Sequence, residues 1–208
     1  SDTVKELVAS ILEELDTLNS PYFKALKEGT MSKEEFIETQ CQLYNAATYF
    51  NRPMMVLTAK IPDQLQRLEI LRNVWEEHGS GEQSGFHPNL LLDFIGHLGC
   101  TEQEVARRAM WPEVKIFNAT LAGACVFDEY LVGVSVLSMV EKMFAPMAGA
   151  IAESVIANDW VSPEEAIYYT AHATLDIKHS EDFLDFLEKP WNESFENRYF
   201  IEQGMRMG

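Results

Sequence analysis

His172, Asp176 and His179 lie at i, i+4 and i+7 in the stretch His172-Ala-Thr-Leu-Asp176-Ile-Lys-His179, which reads as one helix. At about 100° per residue they fall within roughly 60° of one another on one helical face. Two imidazoles and a carboxylate on consecutive turns can grip a first-row transition metal, because each offers a lone pair of the hardness that iron, manganese or zinc accepts. The bland alternative is a solvent-facing set, or a buried His–Asp hydrogen bond. Three donors on one helix leave a metal site incomplete, and carboxylate-rich bundle sites draw further Glu and His from facing helices. Glu77 ends one helical stretch just before a glycine-rich loop, and His87 begins the next just after it. Glu141 sits mid-helix among apolar residues, where a carboxylate needs either solvent or a partner. The six residues Glu77, His87, Glu141, His172, Asp176 and His179 give three imidazoles and three carboxylates. That inventory suits two metals with open positions for dioxygen and substrate.

The elements that must position these residues all carry helix signals. Thr3-x-x-Glu6, Ser32-x-x-Glu35 and Thr101-x-x-Glu104 have the capping-box pattern. The first predicts a helix over 4–18 with Leu7, Ile11, Leu12 and Leu15 on one stripe; the second predicts one over 33–50, with Pro53 kinking or interrupting its continuation to Lys60. Pro62 is expected to start a helix reaching about His78, and Pro88 one reaching Gly99. Gly79-Ser-Gly81-Glu-Gln-Ser-Gly85 is a loop by composition. Pro112 opens a long apolar stretch to Asn158 with a break near 127–130. Ser162-Pro163-Glu164-Glu165 reads as a helix start, and the helix it opens runs to about Lys189. The tail from 190 to 208 is either a docked final helix or loose. No stretch alternates with period two for long enough to suggest a sheet. The expectation is a single all-α domain over 1–208, a bundle of seven or eight helices.

Composition narrows the partners. The 208 residues carry 16 Lys+Arg against 33 Asp+Glu, a net charge of −17, which argues against nucleic acid and anionic membranes. The three cysteines, Cys41, Cys100 and Cys125, are odd in number and lack C-x-x-C spacing, as expected of free thiols in a reducing cytoplasm. There is no signal peptide and no apolar run of about 18 residues, so neither secretion nor membrane spanning is expected. A small-molecule substrate is the expected partner.

The stretch Glu76-Glu77-His-Gly79-Ser-Gly81, then His87-Pro88 with Leu-Leu-Asp-Phe behind it, then the distant His172-x-x-x-Asp176-x-x-His179, resembles the heme-oxygenase-like diiron oxidases. That superfamily shares a seven-helix fold with heme oxygenase, TenA-like thiaminases, PqqC-like synthases and the chlamydial death-domain-associating proteins. The resemblance implies a Glu and a His flanking a loop, a mid-bundle Glu and a closing His/Asp/His helix, all present here in that order. It implies two Fe(II) ions, with manganese as an alternative metal, and O2 as co-substrate for oxidising or cleaving a small metabolite, amino-acid-like or fatty-acid-like. One iron would be held by Glu77, His87 and His172 and the other by Glu141, Asp176 and His179, in a protein expected to be a homodimer. Loop spacing varies among members, so Glu76 and Glu82 rival Glu77, and Glu129 and Glu153 are weaker rivals to Glu141. Met139, Met143, Phe144 and Met147 are candidates for a substrate pocket, although such residues more often form plain core. The competing function is metal-independent: a PqqC-like oxidase, or a TenA-like hydrolase in which Cys125 would be the nucleophile rather than a buried structural thiol. Haem is not expected, since no histidine occurs in residues 1–30 to serve as a proximal ligand.

Overall fold

Capping decides where most of the helices start. Thr3, Ser32 and Thr101 each accept the amide three residues on, and Glu6, Glu35 and Glu104 return the bond to the cap backbone. These three capping boxes open α1 (Val4–Leu15), α3 (Lys33–Lys60) and α6 (Glu102–Arg107). The Asp63 carboxylate accepts from Leu65 and Gln66, so α4 (Gln64–Glu77) begins two residues after Pro62 rather than at it. Prolines sit in the first turns of α2 (Pro21–Lys27), α5 (His87–His97) and α7 (Pro112–Ala122), where a missing N–H costs nothing.

The computed structural model describes residues 1–208, and after α7 come α8 (Tyr130–Ala157), α9 (Ile167–Glu193) and α10 (Phe195–Met207). There are ten α-helices and no strand. The short α2 and the docked α10 take the number beyond the seven or eight that the sequence pattern predicts. The break between α7 and α8 falls at the expected place: one π-turn over Gly123–Phe127, then extended backbone at Asp128 and Glu129. Pro53 lies inside a continuous α3, and Pro190 inside α9. Both are buried, so packing holds each helix together against the lost backbone bond. Ser162 caps a turn rather than α9 itself: its carbonyl accepts from Glu165 and Ala166, and α9 starts at Ile167. α8 departs from the sequence reading in its apolar length. By length and composition alone it could cross a membrane, but 67% of its apolar window is buried inside the bundle.

α8 and α9 pass through two separate apolar cores. The first gathers Leu137 and Met139 of α8, Phe183 and Leu187 of α9, α1 and α10. The second gathers Ala148 and Ile151 of α8, Tyr168 and Tyr169 of α9, Leu26, Phe36 and Phe94. Glu141 on α8 and His172, Asp176 and His179 on α9 fall between those two sets along their helices, at the junction of the cores.

α10 lies on α8 through Gly204. A Cβ there would stand 2.5 Å from the Val132 carbonyl oxygen and 2.6 Å from the Ser135 Cβ. Gly204→Ala is therefore expected to destabilise the fold by about 1–3 kcal/mol, read in chemical unfolding. Unchanged stability would contradict this close approach of α10 to α8.

Candidate metal centre

The loop between α4 and α5 brings Glu77 and His87 together. Gly79 has φ +58°, and a Cβ on it would sit 2.5 Å from the Gly85 carbonyl carbon, so only glycine lets the two backbones touch. His78 and Phe86 form an isolated antiparallel bridge across the base of the loop. The residues just outside that bridge are thereby set face to face, and His87 Nδ1 lies 2.8 Å from Glu77 Oε1. α9 adds His172, whose Nε2 is 3.1 Å from His87 Nδ1. The other ring nitrogen of His172 donates to the Tyr168 carbonyl one turn back, at 2.7 Å, which leaves the Nε2 lone pair facing Glu77 and His87.

α8 and α9 complete the arrangement. His179 Nδ1 is 3.3 Å from Glu141 Oε2 and 3.9 Å from Asp176 Oδ1. The six residues named from sequence thus form two triads, Glu77/His87/His172 and Glu141/Asp176/His179, with donor atoms in each within 4.8 Å of one another. The rivals do not join them: Glu82, Glu129 and Glu153 are exposed. Two residues have roles that sequence reasoning missed. Glu76, considered only as a substitute for Glu77, contacts His179 Nε2, and Asn73 Nδ2 donates to Glu141 Oε1 at 3.3 Å. The spacing of Asn73, Glu76 and Glu77 on one helix, i, i+3 and i+4, is the signal that could have found them.

All six residues are under a tenth exposed, and no lysine or arginine pairs with any of them. Burial works against a charged Glu77, but the His87 hydrogen bond and charge outweigh it and hold the carboxyl below its usual range. Burial and then His87 lower His172 to about 4, so it is neutral near pH 7. Burial, reinforced by Glu141, pushes the Asp176 carboxyl well up. His179 goes the other way: burial disfavours its charge, yet Glu141 and Glu76 raise it to about 9. Each triad therefore gathers mixed nitrogen and oxygen donors in an interior short of positive charge, and a divalent cation fits both the donor chemistry and the charge.

Five of the six residues, all but His179, border one cavity of about 530 Å³. Met143, Phe144 and Met147, pocket candidates that the sequence pattern left more often as core, line it, whereas Met139 is wholly core. The Phe144 ring stands edge-on to His172 at 5.5 Å and Tyr168 lies 4.3 Å from the same ring. Tyr22, Thr39 and Gln40 form a polar strip on a largely apolar wall, linked by the 3.1 Å Tyr22–Thr39 and Gln40–Thr39 hydrogen bonds, and Gln42 and Glu113 add further polar side chains outside the triads. No lysine or arginine borders the cavity; Arg52, Lys60, Lys115, Lys142 and Lys178 all lie elsewhere. Cys125 is also absent from its lining, and burial pushes that thiol up to about 12. His97 pairs with Glu165 near the surface, and His78 bonds the Val74 carbonyl.

Known proteins resemble this chain in sequence and in fold. The sequence profile of a family described as iron-containing redox enzymes matches residues 38–207. A protein named 4-aminobenzoate synthase from Nitrosomonas europaea is 26% identical over 201 residues, 91% of this chain and 80% of that one. A solved protein from Nostoc punctiforme described as CADD-like superposes with TM-score 0.76 at 16% identity, covering 98% of this chain and 89% of its own. One from Shewanella denitrificans, described as having a heme oxygenase-like fold, gives 0.75 at 16% identity, with 98% and 84% covered.

The crowding of buried carboxylates has a cost that can be measured in chelator-treated protein. The folded state holds the Asp176 pKa above its ordinary 3.8, so the stability linked to it is present below that value and drains away as pH rises toward the folded pKa. Asp176→Asn removes the penalty, and is expected to raise Tm near neutral pH by about 2–4 °C, with the gain shrinking toward pH 4. A lower Tm for the variant at neutral pH would show that the carboxylate stabilises the fold without metal.

Proposed function

The chain belongs to the iron-containing redox enzyme family, and from that premise we propose that it is an oxidoreductase with a two-iron centre that activates O2 to oxidise a small metabolite. The observation that carries this reading is the pair of buried triads on the wall of one apolar cavity. Two ferrous ions held there would supply the electrons and the open coordination positions that dioxygen chemistry requires. Manganese is the alternative metal for the same donors.

The protein's own residues do the rest. Glu77, His87 and His172 would hold one ion, and Glu141, Asp176 and His179 the other. The Tyr168 carbonyl fixes the tautomer of His172, and Phe144 and Tyr168 pack against that ring and keep water off it. The apolar wall desolvates the substrate, and Tyr22, Thr39 and Gln40 offer hydrogen bonds that orient it. With no lysine or arginine on the wall, a substrate carboxylate would find its positive partner only in the metal ions, and the rest of the substrate would meet a largely apolar surface. The name of the relatives, 4-aminobenzoate synthase, makes formation of an aromatic amine the first activity to assay. A TenA-like hydrolase reading is weaker, because Cys125 is core and its thiol stays protonated. The strongly acidic composition supports a small-molecule partner rather than nucleic acid or membrane, and we place the enzyme in the cytoplasm as a homodimer.

Anaerobic protein loaded with Fe(II) is expected to consume O2, followed with an oxygen electrode, and chelated protein is not. His172→Ala should lower the rate at least about 100-fold, more than loss of an outer partner to a ligand costs. Equal O2 uptake with and without iron would refute the proposal.

A further inference from the structure

α4 does more than supply Glu77. Its last two turns send three side chains toward the centre: Glu77 to His87, Glu76 to His179 Nε2 and Asn73 to Glu141 Oε1. The first belongs to one triad, and the other two both act on the second. The triads differ in what holds their imidazoles. His172 is pinned by the carbonyl of Tyr168 on its own helix, in the buried interior. His179 has no such backbone bond. Its Nε2 meets only Glu76, whose side chain is 31% exposed and borders a second, polar pocket of about 320 Å³ on α4 and α9, with Glu69, Arg72, Lys178 and Asp182 around it.

We propose that Glu76 is a positioning residue for the second triad, acting with Asn73. By accepting the Nε2–H of His179 it turns Nδ1 toward Glu141 and Asp176, the nitrogen that would ligate once a metal displaces its proton, and it fixes the ring in that plane. Asn73 does the same for Glu141 through its Nδ2. Its Oδ1 is buried with no partner, so this amide is spent on one bond only. Control of the second triad is thereby separate from control of the first, although both depend on adjacent residues of one helix. The inference rests on the two-triad reading and extends it to residues outside the triads.

Titration of metal-free protein with Co(II), followed by its d–d absorption and by equilibrium dialysis, tests this. Wild type is expected to take up two ions. Glu76→Ala should weaken uptake of one ion about 10–100-fold, the usual cost of losing an outer partner, and leave the other unchanged. Glu76→Gln, whose amide oxygen still accepts the N–H, should recover most of the loss. Glu69→Ala, on the rim of the same pocket, should bind like wild type. Two ions bound equally well by wild type and Glu76→Ala would overturn the role of Glu76 while leaving the two-triad reading intact. Equal weakening of both ions, or no recovery in a folded Glu76→Gln, would overturn it too. Fewer than two ions in wild type would instead bring down the two-triad reading itself.

Discussion

Three carboxylates and three imidazoles lie inside one helical bundle, each less than a tenth exposed, with no lysine or arginine to offset them. Buried charge of one sign is among the most expensive things a fold can contain, and it persists only where partners or a cation compensate. The surrounding structure is arranged around that demand. α8 and α9 each keep apolar residues on both sides of their polar positions, so two cores clamp the centre between them. The Gly79–Gly85 contact folds the α4–α5 loop tightly enough to oppose Glu77 and His87. His179 keeps its proton to about pH 9 for the same reason: the carboxylates around it attract whatever positive charge is available.

The two faces of the centre are chemically unlike. On one side lies the cavity of about 530 Å³, largely apolar, with the Tyr22–Thr39–Gln40 strip, Gln42 and Glu113 among its polar side chains outside the triads. On the other lies the polar pocket reached through Glu76. In the proposed two-iron centre, the apolar side would desolvate substrate while the polar side would exchange ions with solvent. α4 stands between them, contributing a donor to one triad and supports to the other.

Much of this was legible in the sequence because helices announce themselves locally. The i, i+4, i+7 spacing of His172, Asp176 and His179 survives folding unchanged, since it is a property of one helix. Glu141 was legible as a carboxylate with no business among apolar neighbours unless partnered. What the sequence could not settle depends on how distant segments meet. Glu76, Glu77 and Glu82 are equivalent as letters, and the loop closure separates them: Glu77 turns to His87, Glu76 to His179, and Glu82 to solvent. Pro53 and Pro190 looked like interruptions because the pattern carries the local cost of proline but not the tertiary packing that offsets it. Ser162-Pro163 carried a strong start signal and yet caps only a turn, while α10, capped by Ser194, docks on α8 at Gly204.

The central claim is that the two buried triads are two metal positions. Diffraction from crystals of the iron-loaded protein, recorded on either side of the iron absorption edge, tests it most directly. Two anomalous peaks are predicted, one bounded by Glu77, His87 and His172 and one by Glu141, Asp176 and His179. A single shared peak, or none among these six side chains, would contradict the account.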